Sequence, residues 1–179
     1  MSTANMSLRD VYRSSTVKRW GIVAISKEQS VAEHTFQVTM IASRLCDMMG
    51  ESEVVRGQVI EYALVHDMAE VLTGDMATPL KDFIGPEAKA RLEKFEEQIL
   101  VLGRSIETGD RIKWIVKIAD LVEAITFLNQ HSITEHGKQV AGYLREKLDR
   151  VSAEYGTKAL DEIENSEMVT LDRVINNAV

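Results

Sequence analysis

Cysteine is nearly absent: Cys46 stands alone, so the chain can form no internal disulfide and no thiolate cluster to hold a metal. Long apolar runs are missing too, and none approaches the roughly 20 residues needed to span a bilayer. The first ten residues carry no apolar stretch of signal-peptide type, so the expected setting is the cytoplasm, away from membranes. A surplus of cations is lacking. The formal charge of −7 argues against a nucleic-acid partner, because backbone binding depends on Lys and Arg neutralising phosphates. It leaves room for a small phosphorylated ligand, since a few local cations can outweigh the global sign inside a cleft. Neither internal repeats nor low-complexity segments occur, and no convincing length alternates with period two, so no sheet is expected.

What remains is an ordinary globular composition, 45% apolar and 27% charged, over 179 residues, expected to form one domain spanning 1–179. The stretch Glu61 to Asp75 organises it. Ala63, Leu64, Val65, Met68, Ala69, Val71 and Leu72 give the apolar density of a helix buried nearly all round, yet His66, Asp67 and Glu70 sit in its middle. Buried charges are costly unless paired or bound to a metal. On a helical repeat Glu70 lies one turn on from both His66 and Asp67, so the three can share one cavity.

Other helices are punctuated by familiar signals. Ser7 or Ser2 can cap a short first helix. A non-helical stretch from Ser14 to about Gln29 follows, containing Lys18-Arg-Trp-Gly-Ile22. Ser30 and Glu33 have the form of a capping box, with Gly50 as the stop of that helix. Ser52 caps a helix from about Glu53 to Leu72. Thr73 to Lys81 reads as a loop with Thr78 extended before Pro79, and Pro86 opens a helix ending near Gly103. Further helices run from Thr108 to about Gln130, Gly137 to Tyr155 and Asn165 to Asn177. The expected fold is an all-α bundle of six to eight helices.

Two more residues could complete a metal shell around His66 and Asp67. His34 lies in the first turn of its helix, and Asp120 stands among apolar neighbours in Ile118-Ala-Asp-Leu-Val122. Two imidazoles and two carboxylates suit Zn, Mn, Fe, Co or Ni better than a soft metal. Taken singly, a buried histidine is more often a hydrogen-bonded core residue than a ligand, and Asp120 reads equally as a core aspartate paired with Lys117 or an arginine. Taken together in one helical chain, the four favour a metal centre. His131 and His136 have no apolar frame and read as surface residues.

The order His34, His66–Asp67, Asp120 resembles the HD-domain metal phosphohydrolases. The flanking residues resemble the YfbR-like 5′-deoxynucleotidase branch: Arg19-Trp20, Ser30-Val-Ala-Glu-His34, His66-Asp-Met-Ala-Glu-Val-Leu-Thr-Gly-Asp75, Thr78-Pro-Leu-Lys81 and Lys117-Ile-Ala-Asp120. The likeness covers about residues 18–128. The chain is shorter than a typical bacterial member, with a reduced stretch between Lys81 and Lys117. It has Gly21-Ile22 where a proline usually follows the tryptophan, and Ala77 where one usually precedes the threonine. In these respects it is similar to compact phage HD enzymes, including the DatZ type that strips triphosphate from dATP.

The resemblance implies that His34, His66, Asp67 and Asp120 hold a divalent ion (Co, Mn, Zn or Mg). It implies that Glu70 orients or deprotonates the attacking water, Arg19 orients the phosphate, and Asp75 and Thr78 line the sugar–phosphate pocket. Trp20 would form an apolar wall that disfavours a 2′-hydroxyl, although a tryptophan read alone is more often core packing. A homo-oligomer is also implied. To these we add Lys81 and Lys117 as phosphate contacts, with a solvated loop lysine an equal reading for Lys81. A flat Trp20/Ile22 wall suits a purine, so the expected partner is a deoxyadenosine nucleotide, as monophosphate or triphosphate. The competing reading is a catalytically weak HD module that binds a nucleotide as a sensor.

Overall fold

The structure, a computed structural model, describes residues 4–97, 99–101 and 108–159. In chain order these form β1 (Ala4–Met6), α1 (Leu8–Arg13), α2 (Val31–Met49), α3 (Glu53–Val65), α4 (Glu70–Thr73), α5 (Thr78–Phe83), α6 (Gly85–Glu97), β2 (Ile99–Val101), α7 (Asp110–His131) and α8 (Glu135–Ala159). The fold is all-α. The strands are three residues each and pair in parallel, Ala4 opposite Ile99 and Met6 opposite Val101. This departs from the expectation of no sheet, because three residues are too few for alternation to be read. Gly103 and the helix expected over Asn165 to Asn177 lie outside the described residues.

Helix α2 starts and stops where its punctuation predicts. Ser30 accepts from the Glu33 N–H at 3.2 Å, the Glu33 carboxylate accepts the Ser30 N–H at 2.8 Å, and Gly50 takes the left-handed φ of 70° that ends the helix. Helix α7 is the central one: thirteen of its 22 residues are buried, and α2, α3 and α8 all pack on it. Leu45, Ile115, Ile118, Leu128 and Leu148 are sealed from solvent. Each contributes about 2 kcal/mol by leaving water.

The segment expected to be one helix buried all round is neither. It breaks after Val65, where the backbone tightens into i→i+3 bonds, Met68 N–H to Val65 O at 3.0 Å and Glu70 N–H to Asp67 O at 3.0 Å. Leu64 and Leu72 are 49% and 42% exposed. The break exists because Met68, Ala69 and Val71 turn aside to pack with Met6, Val11 and Phe95 in a second, smaller core. That packing anchors the turn carrying His66 to Glu70. Thr78 begins α5, so the extended residue is Ala77, with ψ 137°, and the proline lies in the first helical turn. Among the described residues no helix is long and apolar enough to cross a membrane.

Helix α8 meets the turn following Trp20 at Gly137. A Cβ there would stand 2.5 Å from the Ser132 Cβ and 3.3 Å from a Val23 methyl. Gly137→Ala is therefore expected to cost about 1–3 kcal/mol by overpacking. A thermal melt should show a midpoint lower by roughly 2–10 °C. An unchanged midpoint would mean that the start of α8 shifts freely.

Candidate metal centre

Three parts of the chain bring the expected ligands together: His34, His66 and Asp67 form one cluster, and Asp120 joins it at His34. The first turn of α2 supplies His34, the turn after α3 supplies His66 and Asp67, and the middle of α7 supplies Asp120. His34 Nε2 lies 3.3 Å from Asp67 Oδ2 and 3.3 Å from Asp120 Oδ1, and His66 Nε2 lies 3.4 Å from Asp67 Oδ2. Donor atoms each about 2.0–2.1 Å from a common ion at tetrahedral angles stand about 3.4 Å apart, so the spacing is that of a coordination shell. Ligand atoms of His34, His66 and Asp67 all fall within 4.8 Å of one another.

The two imidazoles are prepared for a cation. His34 Nδ1 donates to Glu123 Oε2 at 2.5 Å, and His66 Nδ1 donates to the Ala63 carbonyl at 2.7 Å. Each bond occupies Nδ1 and turns Nε2 towards the centre. Both Nε2 atoms are buried without a hydrogen-bond partner among the described residues. Orphaned nitrogens beside carboxylates fit a divalent ion in this nitrogen/oxygen set.

Charge around the centre is strongly arranged. Burial disfavours the Asp67 carboxylate, yet His66, His34 and Arg19 outweigh it and hold the group well below the usual range. Asp120 is likewise kept ionised against burial, chiefly by Lys117, whose Nζ donates to Asp120 Oδ2 at 2.6 Å. Burial and the Arg19 charge oppose a proton on His34. The Asp120, Asp67 and Glu123 carboxylates prevail and push it up to about 10, a site for positive charge that a metal ion would also satisfy. Glu70 behaves oppositely: burial and the charges of Asp67 and Asp75 push it up to about 8. Its Oε2 is buried without a partner.

The remaining expected residues divide. Arg19 Nη1 donates to Asp67 Oδ2 at 2.9 Å, and its Nε is a buried donor without a partner. Asp75 Oδ2 accepts the Trp20 N–H at 3.2 Å. Trp20 stacks its ring on Phe127, centroids 5.9 Å apart and planes 2° apart. Lys117, expected as a phosphate contact, is paired with Asp120. Lys81 acts electrostatically on Glu70 and Glu96. Ile22 is 56% exposed. The Thr78 side chain lies outside the described residues. His131, expected at the surface, is half-buried with its ring 4.7 Å from that of Phe127.

Two residues of the site were not foreseen. Glu123 and Gln29 are 3% and 2% exposed and joined by a 2.6 Å hydrogen bond, Gln29 donating. Glu123 had a legible signal: an acid one turn beyond Asp120, flanked by Leu121, Val122, Ala124 and Ile125. Gln29 had none, since it lies in an irregular segment whose partners are remote in sequence.

The chain is similar to known proteins in sequence and fold. Residues 8–102 match the family model described as 5′-deoxynucleotidase YfbR-like. The chain is 34% identical to a dATP triphosphohydrolase of Cyanophage S-2L, over 77% of this chain and 78% of that one. It is 32% identical to a dATP triphosphohydrolase of Salmonella phage PMBT28, over 94% of each. Among solved structures, the Cyanophage S-2L HD phosphohydrolase (DatZ) bound to dA and one catalytic Zn2+ ion superposes with a TM-score of 0.78 at 28% identity. That alignment covers 97% of this chain and 94% of the other. Matched over more than half its length and co-extensive with the phage enzymes, the chain belongs to the YfbR-like family of HD-domain phosphohydrolases.

Proposed function

We propose that the protein is a metal-dependent phosphohydrolase of 2′-deoxynucleotides whose preferred reaction converts dATP and water to deoxyadenosine and triphosphate. One observation carries the reading. Two unpartnered imidazole nitrogens, a raised carboxyl with a free buried oxygen and an arginine with a free buried donor surround one point. A sensor has no need of the raised carboxyl. The triphosphate form is favoured because the two phage proteins that are 34% and 32% identical, over 77% and 94% of this chain, are named dATP triphosphohydrolases.

His34, His66, Asp67 and Asp120 would hold the ion, with Zn first among Zn, Co, Mn and Mg. When bound, a divalent ion supplies positive charge that polarises a phosphoryl oxygen and lowers the pKa of water towards neutrality. Glu70, which readily takes up a proton near neutral pH, accepts one from water attacking the α-phosphorus. The bond from phosphorus to the 5′-oxygen breaks, and that oxygen is protonated as the nucleoside leaves. Arg19 stays charged, its Nη1 spanning to Asp67 and its Nε free for a phosphate oxygen, a planar fork that lysine cannot reproduce. Lys81 and Lys117 add positive charge along the phosphate chain. Trp20 and Ile22 flank the deoxyadenosine, and Asp75 and Thr78 line the sugar side. The reading takes residues 1–179 as one HD domain, active in the cytoplasm as a homo-oligomer.

The test is the product formed by purified, metal-loaded protein. With dATP, deoxyadenosine and tripolyphosphate are expected in equal amounts. Release of inorganic phosphate from dAMP, with dATP untouched, would transfer the reading to the monophosphate branch. Hydrolysis of neither, with Zn, Co, Mn and Mg each tried, would overturn it. Equal rates on pyrimidine or ribose nucleotides would remove the assigned preference.

A further inference from the structure

We infer that Gln29 is a positioning residue that locks the Trp20 wall and the His34 ligand into one unit through Glu123. The inference rests on the metal-centre reading above and extends it to residues that touch neither ion nor substrate.

The Gln29 amide is fixed by the chemistry of its neighbours. Its Oε1 accepts the Trp20 indole N–H at 2.8 Å, and its Nε2 donates to Glu123 Oε1 at 2.6 Å and to Gln37 Oε1 at 3.2 Å. An indole N–H can only donate, so the amide oxygen must face Trp20 and the amide nitrogen Glu123. The other Glu123 oxygen accepts the hydrogen bond from His34 Nδ1. A continuous chain therefore runs from the Trp20 ring through Gln29 and Glu123 to the imidazole whose Nε2 faces the centre.

Each link is needed at both ends. Without the Gln29 amide, one oxygen of the buried Glu123 carboxylate loses its donor, and the carboxylate is free to rotate away from His34. At the other end Trp20 has a φ of 66°, a region that bulky side chains rarely adopt. It is held there from three sides: its N–H by Asp75, its indole by Gln29 and its ring by Phe127. Asp120, Glu123 and Phe127 form one stripe of α7 at spacings of three and four. A single rigid helix thus carries a ligand, the partner of a second ligand and the support of the substrate wall.

Outer partners of this kind typically change metal affinity 10–100-fold. The experiment measures zinc affinity of the full-length protein, without substrate, by competition with a chromogenic chelator. Gln29→Met should bind zinc about tenfold more weakly. Trp20→Phe keeps an aromatic ring and removes the indole donor, and it should weaken zinc a few-fold although it touches no ligand. The double variant should be no weaker than Gln29→Met alone, because both changes break the same chain. Zinc affinities within twofold of wild type in both single variants, or losses that multiply in the double, would overturn the inference. If Gln29→Met fails to give a cooperative melt, the cycle of Glu123→Gln with Trp20→Phe replaces it with the same expectation of non-additivity. Wild-type protein that takes up no zinc, cobalt or manganese would instead sink the metal centre itself.

Discussion

Replacing Glu70 with glutamine should lower kcat on dATP by roughly 10²–10⁴-fold, the usual worth of a positioned general base, while the protein still binds its metal ion. The substitution changes little in shape and removes one titration. That titration has a second consequence, visible without any turnover. In the metal-free fold, burial and the charges of Asp67 and Asp75 raise the Glu70 carboxyl from 4.5 to about 8. A raised carboxyl means that the folded state holds the proton more tightly than the unfolded chain. The stability this contributes is complete below the ordinary value and drains away as pH rises towards the folded one. Glutamine cannot ionise and loses nothing over that window. Melting midpoints of metal-free wild type and Glu70→Gln should lie close together near pH 4.5 and diverge by pH 8, the variant several degrees higher. A variant that keeps more than a tenth of wild-type activity would remove Glu70 from the role of base. Parallel midpoints across the window would show that its carboxyl is not held neutral.

The pairing of lost activity with gained stability is what a buried functional carboxylate implies. Local structure here conflicts with folding comfort, and the sequence shows the conflict at some residues and hides it at others. His66 and Asp67 were readable because two ionisable residues stand inside an apolar run, and Asp120 because a lone acid interrupts another. Helix α2 was readable from short-range chemistry, with Ser30, Glu33 and Gly50 setting both ends. The break between α3 and α4 was hidden, since Met68, Ala69 and Val71 are as apolar as a continuous helix would need. Only the partners Met6 and Phe95, far off in sequence, make the turn favourable. The Trp20 backbone was hidden for the same reason: a left-handed tryptophan is unfavourable alone and is stabilised by Asp75, Gln29 and Phe127 together. Periodicity reports which face of a helix is buried. It does not report which buried polar atoms find each other.

Stripping the metal ion with a chelator should abolish turnover and lower the melting midpoint, and both should return when zinc, cobalt or manganese is added back. The reason is visible in the charges. Asp67, Asp120, Glu70 and Asp75 converge, and Arg19 and Lys117 pair directly with Asp67 and Asp120. A ligand held at a hundred times its dissociation constant stabilises a fold by about 2.7 kcal/mol. For a chain of this size that corresponds to roughly 5–10 °C in the midpoint. His66→Ala separates a loss of ligand from a loss of fold, because its ring is hydrogen-bonded to the Ala63 carbonyl and its removal leaves the Arg19–Asp67 pair in place. The variant should melt cooperatively, near the midpoint of metal-free wild type, and should gain neither activity nor stability from one equivalent of zinc. Full activity in the chelator-treated protein, or a zinc-dependent rise of the His66→Ala midpoint equal to that of wild type, would place the chemistry elsewhere on the molecule.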